Sequence, residues 1–384
     1  MSQHDNLDTC LTRRQWIVLA ASAVTSGCGG GVSTAGLPGT GGTGIYAQGA
    51  ISGFGSVIIN AVRFDDTMAT IQLDGHGASA ADLRLGMVAS VQGQLAADVT
   101  LGTASNIDVW SIAQGVVTQL RSGSSGAFVV SGMTVQVDST TVLDGIANAA
   151  AVAPGMRVVV WGLQAGADGA SWTATRVALS TDTTIVSSGV VSLAEKQTLL
   201  NGFSLQGSAV AGLLAGELVR VQGSVSNSEG ILNVTNIHVL SAGAASAPGV
   251  GIEIEGLVTA MLPYGRFMLG NSEVDASGAS YIPATAQIAL GTRLEVEGTW
   301  KAGVLVATLC EVGEGQALLA VQITASIDQF TSAANFVVRG QRCDASGVTI
   351  VGNGTLADLK VGTSVKLTGT KAGDVLKVTS LEIL

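Results

Sequence analysis

The feature that most constrains this chain is a strand-length segment that starts after one glycine and ends on another seven positions later. It occurs five times, at Gly86 to Gly93, Gly155 to Gly162, Gly216 to Gly223, Gly291 to Gly298 and Gly362 to Gly369. In each copy the third and fifth residues after the first glycine are small or branched and apolar: Ala89 and Val91, Val158 and Val160, Val219 and Val221, Leu294 and Val296, Val365 and Leu367. The residues between them are mostly polar, as with Arg220 and Gln222, Glu295 and Glu297, or Lys366 and Thr368. A period of two marks a strand with one buried face and one wet face. Copies spaced about 60 to 75 residues apart mark an internal repeat.

Other strands fall into the same register. Units open on Gly49, Gly115, Gly189 and Gly256, with Ala325 at that place in the last. A second strand then runs into Asn60, Gly132, Gly202, Asn271 or Gly340, and a third lies near Asp65, Asp138, Asp275 or Asp344. A fifth strand closes each unit, ending around Val109, Leu179, Val239, Val312 and Ile383. The expected fold is all-β: five tandem small five-stranded barrels at 45–112, 113–182, 187–242, 250–314 and 319–384. An OB-like barrel is the first choice and an SH3-like barrel the alternative, because closure removes sheet edges and glycine lets a curved strand bend. Composition agrees. Aromatic residues are 4% and charged residues 12% of the chain, and 52 glycines suit short strands joined by tight turns. Units this small are marginally stable alone, so neighbours are expected to pack on one another.

Ahead of the repeats stands a targeting segment. Arg13 and Arg14 precede an apolar run from Trp16 to Val24, too short to cross a bilayer permanently. The small residues Thr25, Ser26 and Gly27 then lead to Cys28. This resembles a bacterial lipobox, with Thr25 where leucine is usual, and the arginine pair resembles a twin-arginine signal with Trp16 where phenylalanine is usual. The resemblance implies a signal peptide over 1–27, a lipidated Cys28 that anchors the chain to a membrane, and residence in a Gram-negative cell envelope. Gly29 in place of aspartate after the cysteine implies the outer membrane. Residues 28–44 form a glycine-rich tether with a reach of roughly 20 to 25 Å. If Cys28 is not lipidated, the same chain is expected in the periplasm or secreted.

The first unit also carries a family likeness. The stretch GGTGIYAQGAISGFGSVIINAVRFDD from Gly41, and DLRLGMVASVQG after it, resemble the bacterial family called domain of unknown function 5666. The likeness is clear from Gly41 to Val109 and looser in the other units. Ala61 stands where a glycine would follow Asn60, which should strain that turn. The resemblance implies no catalytic or binding residue to transfer.

No catalytic set emerges from the residues, and neither a metal nor another cofactor is expected. His76 and His238 fall in different units; Asp74 and His76 could share a metal only with further ligands, and His238 is expected on the outer face of a last strand. Cys310 and Cys343 are expected as buried thiols in separate units rather than a disulfide. Unit four is acidic, with Glu253, Glu255, Glu295 and Glu297 expected on its wet face, where weak Ca²⁺ binding is conceivable. Trp110, Trp161 and Trp172 are candidates for a surface that binds protein or saccharide, with packing between units one and two as the alternative. A net charge of −10 speaks against nucleic acid. The expectation is a non-enzymatic envelope protein used for binding or scaffolding. The alternatives are an envelope hydrolase with a site between units and an oligosaccharide-binding protein.

Overall fold

Alternation along the fourth strand of each unit decides which side chains go inside. Val158, Val160, Val219, Val221, Leu294, Val296, Val365, Leu367 and Val91 are fully buried, and Ala89 nearly so. The computed structural model describes residues 44–97, 99–121, 126–194, 197–226, 230–240, 250–312, 321–372 and 374–384. Arg13, Arg14 and Cys28, with the expected signal and all but the last residue of the tether, lie outside the described residues. Among the described residues there is no α-helix, and no helix is long and apolar enough to cross a membrane.

The second unit is a closed five-stranded barrel. Its strands are Ala113–Leu120, Ala127–Val130, Met133–Gln136, Arg157–Gln164 and Ser171–Leu179. First pairs second and second pairs third, antiparallel; third pairs fifth, parallel; fifth pairs fourth and fourth pairs first, antiparallel. One strand can serve two neighbours because it bends: residues up to Val116 face the fourth strand, and those from Val117 face the second. Phe128, Val130, Met133, Val135, Val158 and Val160 fill the interior with no solvent exposure. The same order of partners recurs within Gly251–Val312 and within Val321–Ile383. In units one and three the first strand is broken into Gly44–Ala50 with Gly53–Phe54, and Ile185–Val190 with Ser192–Ala194. Short 3-10 turns, such as Ala149–Ala151 and Leu356–Asp358, precede the fourth strand.

The repeated glycine pair has a double cause. The first member sits at φ between +76° and +91° in every unit, where a side chain would be strained. The second lies at a bulge between the fourth and fifth strands, after Gln92, Trp161, Gln222, Glu297 and Thr368. A Cβ at any of these five glycines would fall under 3.0 Å from the fifth-strand carbonyl oxygen of Thr103, Thr173, Asn233, Val306 or Lys377. The repeated aspartate has a local cause too. Asp65, Asp138, Asp275 and Asp344 each accept from the backbone N–H and the hydroxyl of the Thr or Ser two residues on. These turns stop the third strand, and a further short strand then resumes the parallel pairing with the fifth.

Units meet across distant stretches of sequence. The first strand of unit one runs parallel to that of unit four, Ala47 beside Glu253, while Gly53 and Phe54 run parallel to Gln322 and Ile323 of unit five. Unit two touches unit one through Thr175, whose hydroxyl donates to the Gly86 carbonyl at 2.6 Å. These contacts correct two expectations about wet faces. Arg220 is 1% exposed and Glu253 is 2% exposed, because the outward side of their strands is covered by another unit.

Candidate functional site

The junction of units one and three is organised around Arg220. Its Nε donates to the Ser111 carbonyl at 2.6 Å and its Nη2 to the Ser111 hydroxyl at 3.1 Å, with Asp74 Oδ1 2.9 Å away. Asp74 also accepts from the Ser111 N–H at 2.7 Å and hydroxyl at 2.8 Å. It reaches them from a left-handed turn position, φ +52°, followed by Gly75 at +81°. Arg220 and His238 are cross-strand partners, so both project from one face. Trp110 lies over the pair, its ring stacked 4.0 Å from the imidazole at an interplanar angle of 14° and 5.2 Å from the guanidinium. Burial, and then the Arg220 charge, pushes His238 below its usual value, so the imidazole is neutral at neutral pH.

Beside this junction lies a cavity of about 530 Å³ to which units one, two, three and four all contribute. One wall is the outer face of unit one. Gln72, Asp108, Ser90 and Gln48 stand in a row on adjacent strands, each the cross-strand partner of the next. Tyr46 and Gln92 are partners in the row below, and the Tyr46 hydroxyl donates to Gln48 Oε1 at 3.0 Å. The remaining wall is largely apolar, with Leu163 and Trp172 from unit two, Leu218 and Leu240 from unit three, and Leu257 and Leu269 from unit four. Gln164, Asn271 and Ser272 add polar groups to it.

The lining carries little charge. Burial pushes the Tyr46 phenol up to about 12, so it remains a neutral donor. Glu255 is neutralised by Arg293 at 2.6 Å and accepts from the Ala50 N–H at 2.9 Å. Asp108 is different: burial raises its carboxyl, and it has no ion-pair partner among the described residues. Ser272 is 3% exposed and its buried hydroxyl makes no hydrogen bond among the described residues.

Of the three candidate tryptophans, Trp110 and Trp172 line this cavity and Trp161 does not. Trp172 is 6% exposed and its Nε1 donates to the Gly169 carbonyl at 2.8 Å. Trp161, expected on an outer face, is 5% exposed and packs within the hydrophobic cluster shared by units one and five. Arg176 lies 6.0 Å from its ring, donates to the Leu85 carbonyl at 3.1 Å and pairs with Asp144. Trp161 therefore presents no open platform. His76 is exposed, and its neighbour Asp74 is committed to Arg220 and Ser111. Among the described residues no three His, Cys, Asp or Glu side chains gather as a metal site of such ligands would require. Cys310 and Cys343 are free and buried.

Sequence reading missed Tyr46, Asp108, Ser272 and the junction made by Arg220. Nothing local marks them: Tyr46, Asp108 and Arg220 occupy outward strand positions of ordinary polarity, and Ser272 opens a strand on the same side as the core residue Val274.

Residues 114–178 match the model of a family described as a domain of unknown function (DUF5666). The matched span is that of the closed barrel, whereas the likeness noted from motifs was clearest in unit one. No curated protein matches the chain.

Proposed function

We propose that the chain is a non-enzymatic, lipid-anchored protein of the bacterial cell envelope, built of five OB-like barrels, the first four of which enclose one shared small-molecule binding cavity. The cavity carries the reading. It is of ligand size, largely apolar on one wall and furnished with convergent polar groups, as binding sites commonly are. The OB-like assignment for all five units is supported by the recurrent partner order first, second, third, fifth, fourth and back to first, and in units one, two, three and five by a short helical turn before the fourth strand. Fold analogy alone does not name the ligand. The net charge of −10 favours partners other than nucleic acid.

A thermal-shift screen of small molecules against the purified protein tests the cavity. Compounds that raise the melting temperature should lose their effect in Ser90→Trp, which fills the polar wall. A screen with no such compound would sink the reading. Anchoring is tested separately: cells fed an alkyne fatty acid should label the wild-type chain and leave Cys28→Ser unlabelled, and Arg13→Lys with Arg14→Lys should block export if the twin-arginine route is used. An unlabelled wild type would make the protein soluble in the periplasm or secreted.

A second reading, an envelope hydrolase, draws on the same place, because Asp108, Ser90, Ser272 and His238 come there from three units. Its geometry is unassembled: the Ser90 hydroxyl is 3.4 Å from the Asp108 main-chain carbonyl, and His238 makes no hydrogen bond to either serine. Hydrolysis of nitrophenyl esters or glycosides that is lost in His238→Ala would favour this reading over the first.

A further inference from the structure

We infer that the central cavity takes an uncharged, hydroxyl-rich ligand of about disaccharide size; this rests on the binding-cavity reading above. Three observations point the same way. The first is the character of the polar wall. Gln72, Ser90 and Gln48 both donate and accept, as sugar hydroxyls do, and they stand on neighbouring strands with Asp108 among them. Adjacent strands are about 4.8 Å apart, so this row offers evenly spaced partners to hydroxyls distributed around a ring. Charged ligands are a poorer match. Among the described residues the lining contains no lysine or arginine to receive an anion; nearby Arg293 is spent on Glu255 and Arg220 on Asp74, and the lining His238 is held neutral.

The second observation is a pair of groups left wanting donors or acceptors. The Asp108 carboxylate has no ion pair among the described residues, and two hydroxyls of one sugar ring can donate to its two oxygens. The buried Ser272 hydroxyl has no partner among the described residues and belongs to the lining. A buried hydroxyl left unbonded is costly, and a ligand hydroxyl would satisfy it. Third, the wall built from Leu163, Leu218, Leu257, Leu269 and Trp172 is the surface that the C–H face of a sugar ring would cover.

The test uses the intact chain and the fluorescence of Trp110 and Trp172, both at the cavity. The probes are three neutral disaccharides (maltose, cellobiose and diacetylchitobiose), the amine spermidine and the neutral amphiphile monolauroylglycerol. Saturable binding of at least one disaccharide is expected, weakened about tenfold or more in Asp108→Asn, measurably in Ser272→Ala, and abolished in Ser90→Trp. Melting curves of the three variants show that each is folded. Disaccharide binding indifferent to all three variants would overturn the inference by placing the sugar elsewhere. Binding of spermidine or monolauroylglycerol alone, lost in Ser90→Trp, would overturn the ligand class and leave the cavity reading standing. No binding by any probe would overturn the ligand class, and the reading itself fails only if the broader screen is empty as well.

Discussion

Ala61 is in the left-handed region at φ +60°, directly after Asn60 at +50°. The matching turns of units two, three and five use Ser131 with Gly132, Asn201 with Gly202 and Arg339 with Gly340, which place glycine second. An alanine there carries strain of about 1–2 kcal/mol, partly offset by its smaller loss of backbone entropy on folding. Ala61→Gly is therefore expected to stabilise the protein by about 0.5–1 kcal/mol, seen as a higher denaturation midpoint; a lower midpoint would refute the strain. The bulge glycines predict the opposite sign. Gly298→Ala should cost about 2 kcal/mol or more, because its Cβ collides with the Val306 carbonyl, while Gly278→Ala, with nothing within 4 Å, should be close to neutral. Burial pushes both thiols, Cys310 and Cys343, up to about 12. Peptide mass spectrometry after iodoacetamide should find both unlabelled in the native protein and both labelled on denaturation without reductant. A requirement for reductant would mean a disulfide.

Among elements, the strand-ending turns give the molecule a pH signature. Hydroxyl and N–H donors from Thr67 and Ser277 hold Asp65 and Asp275 below the usual 3.8, and Asp344 is lowered further by Lys377 and then Ser346. A depressed native value means that these turns contribute above the unfolded value and lose that contribution as pH falls through the native one. Melting temperature should therefore fall below about pH 4, and less steeply when the three aspartates are replaced by asparagine. Equal slopes would show that the turns are not responsible. Asp66 and Asp108, raised chiefly by burial, act in the reverse direction and temper the fall. These turns were legible as recurrent aspartates in the sequence, but their reason was not. An aspartate near a strand end reads equally well as a surface charge until its donor two residues on is seen to turn back.

At the scale of the whole molecule, unit one is the hub, hydrogen-bonded to units two, three, four and five through contacts between residues far apart in sequence. Arg220→Met removes the buried partner of Asp74 and Ser111 and should cost about 3 kcal/mol or more, measured by denaturant unfolding. It should also raise the His238 value, because the arginine charge helps to depress it. An NMR titration with His238 unmoved would show that the guanidinium does not act on the ring.

Strand alternation, the two glycines, the repeated aspartate and the buried thiols could all be read from the chain, because each depends on neighbours within one unit. Which outward faces stay wet could not. Period-two patterning reports a side chain's position relative to its own barrel, and Arg220, Glu253 and Trp161 all stand outward in that sense while being buried. Their burial is decided by contacts such as Ala47 beside Glu253 and Arg220 on Ser111, between segments too distant in sequence for any local pattern to record. The cavity arises for the same reason: its polar wall is the outside of one unit, enclosed only when three others close around it.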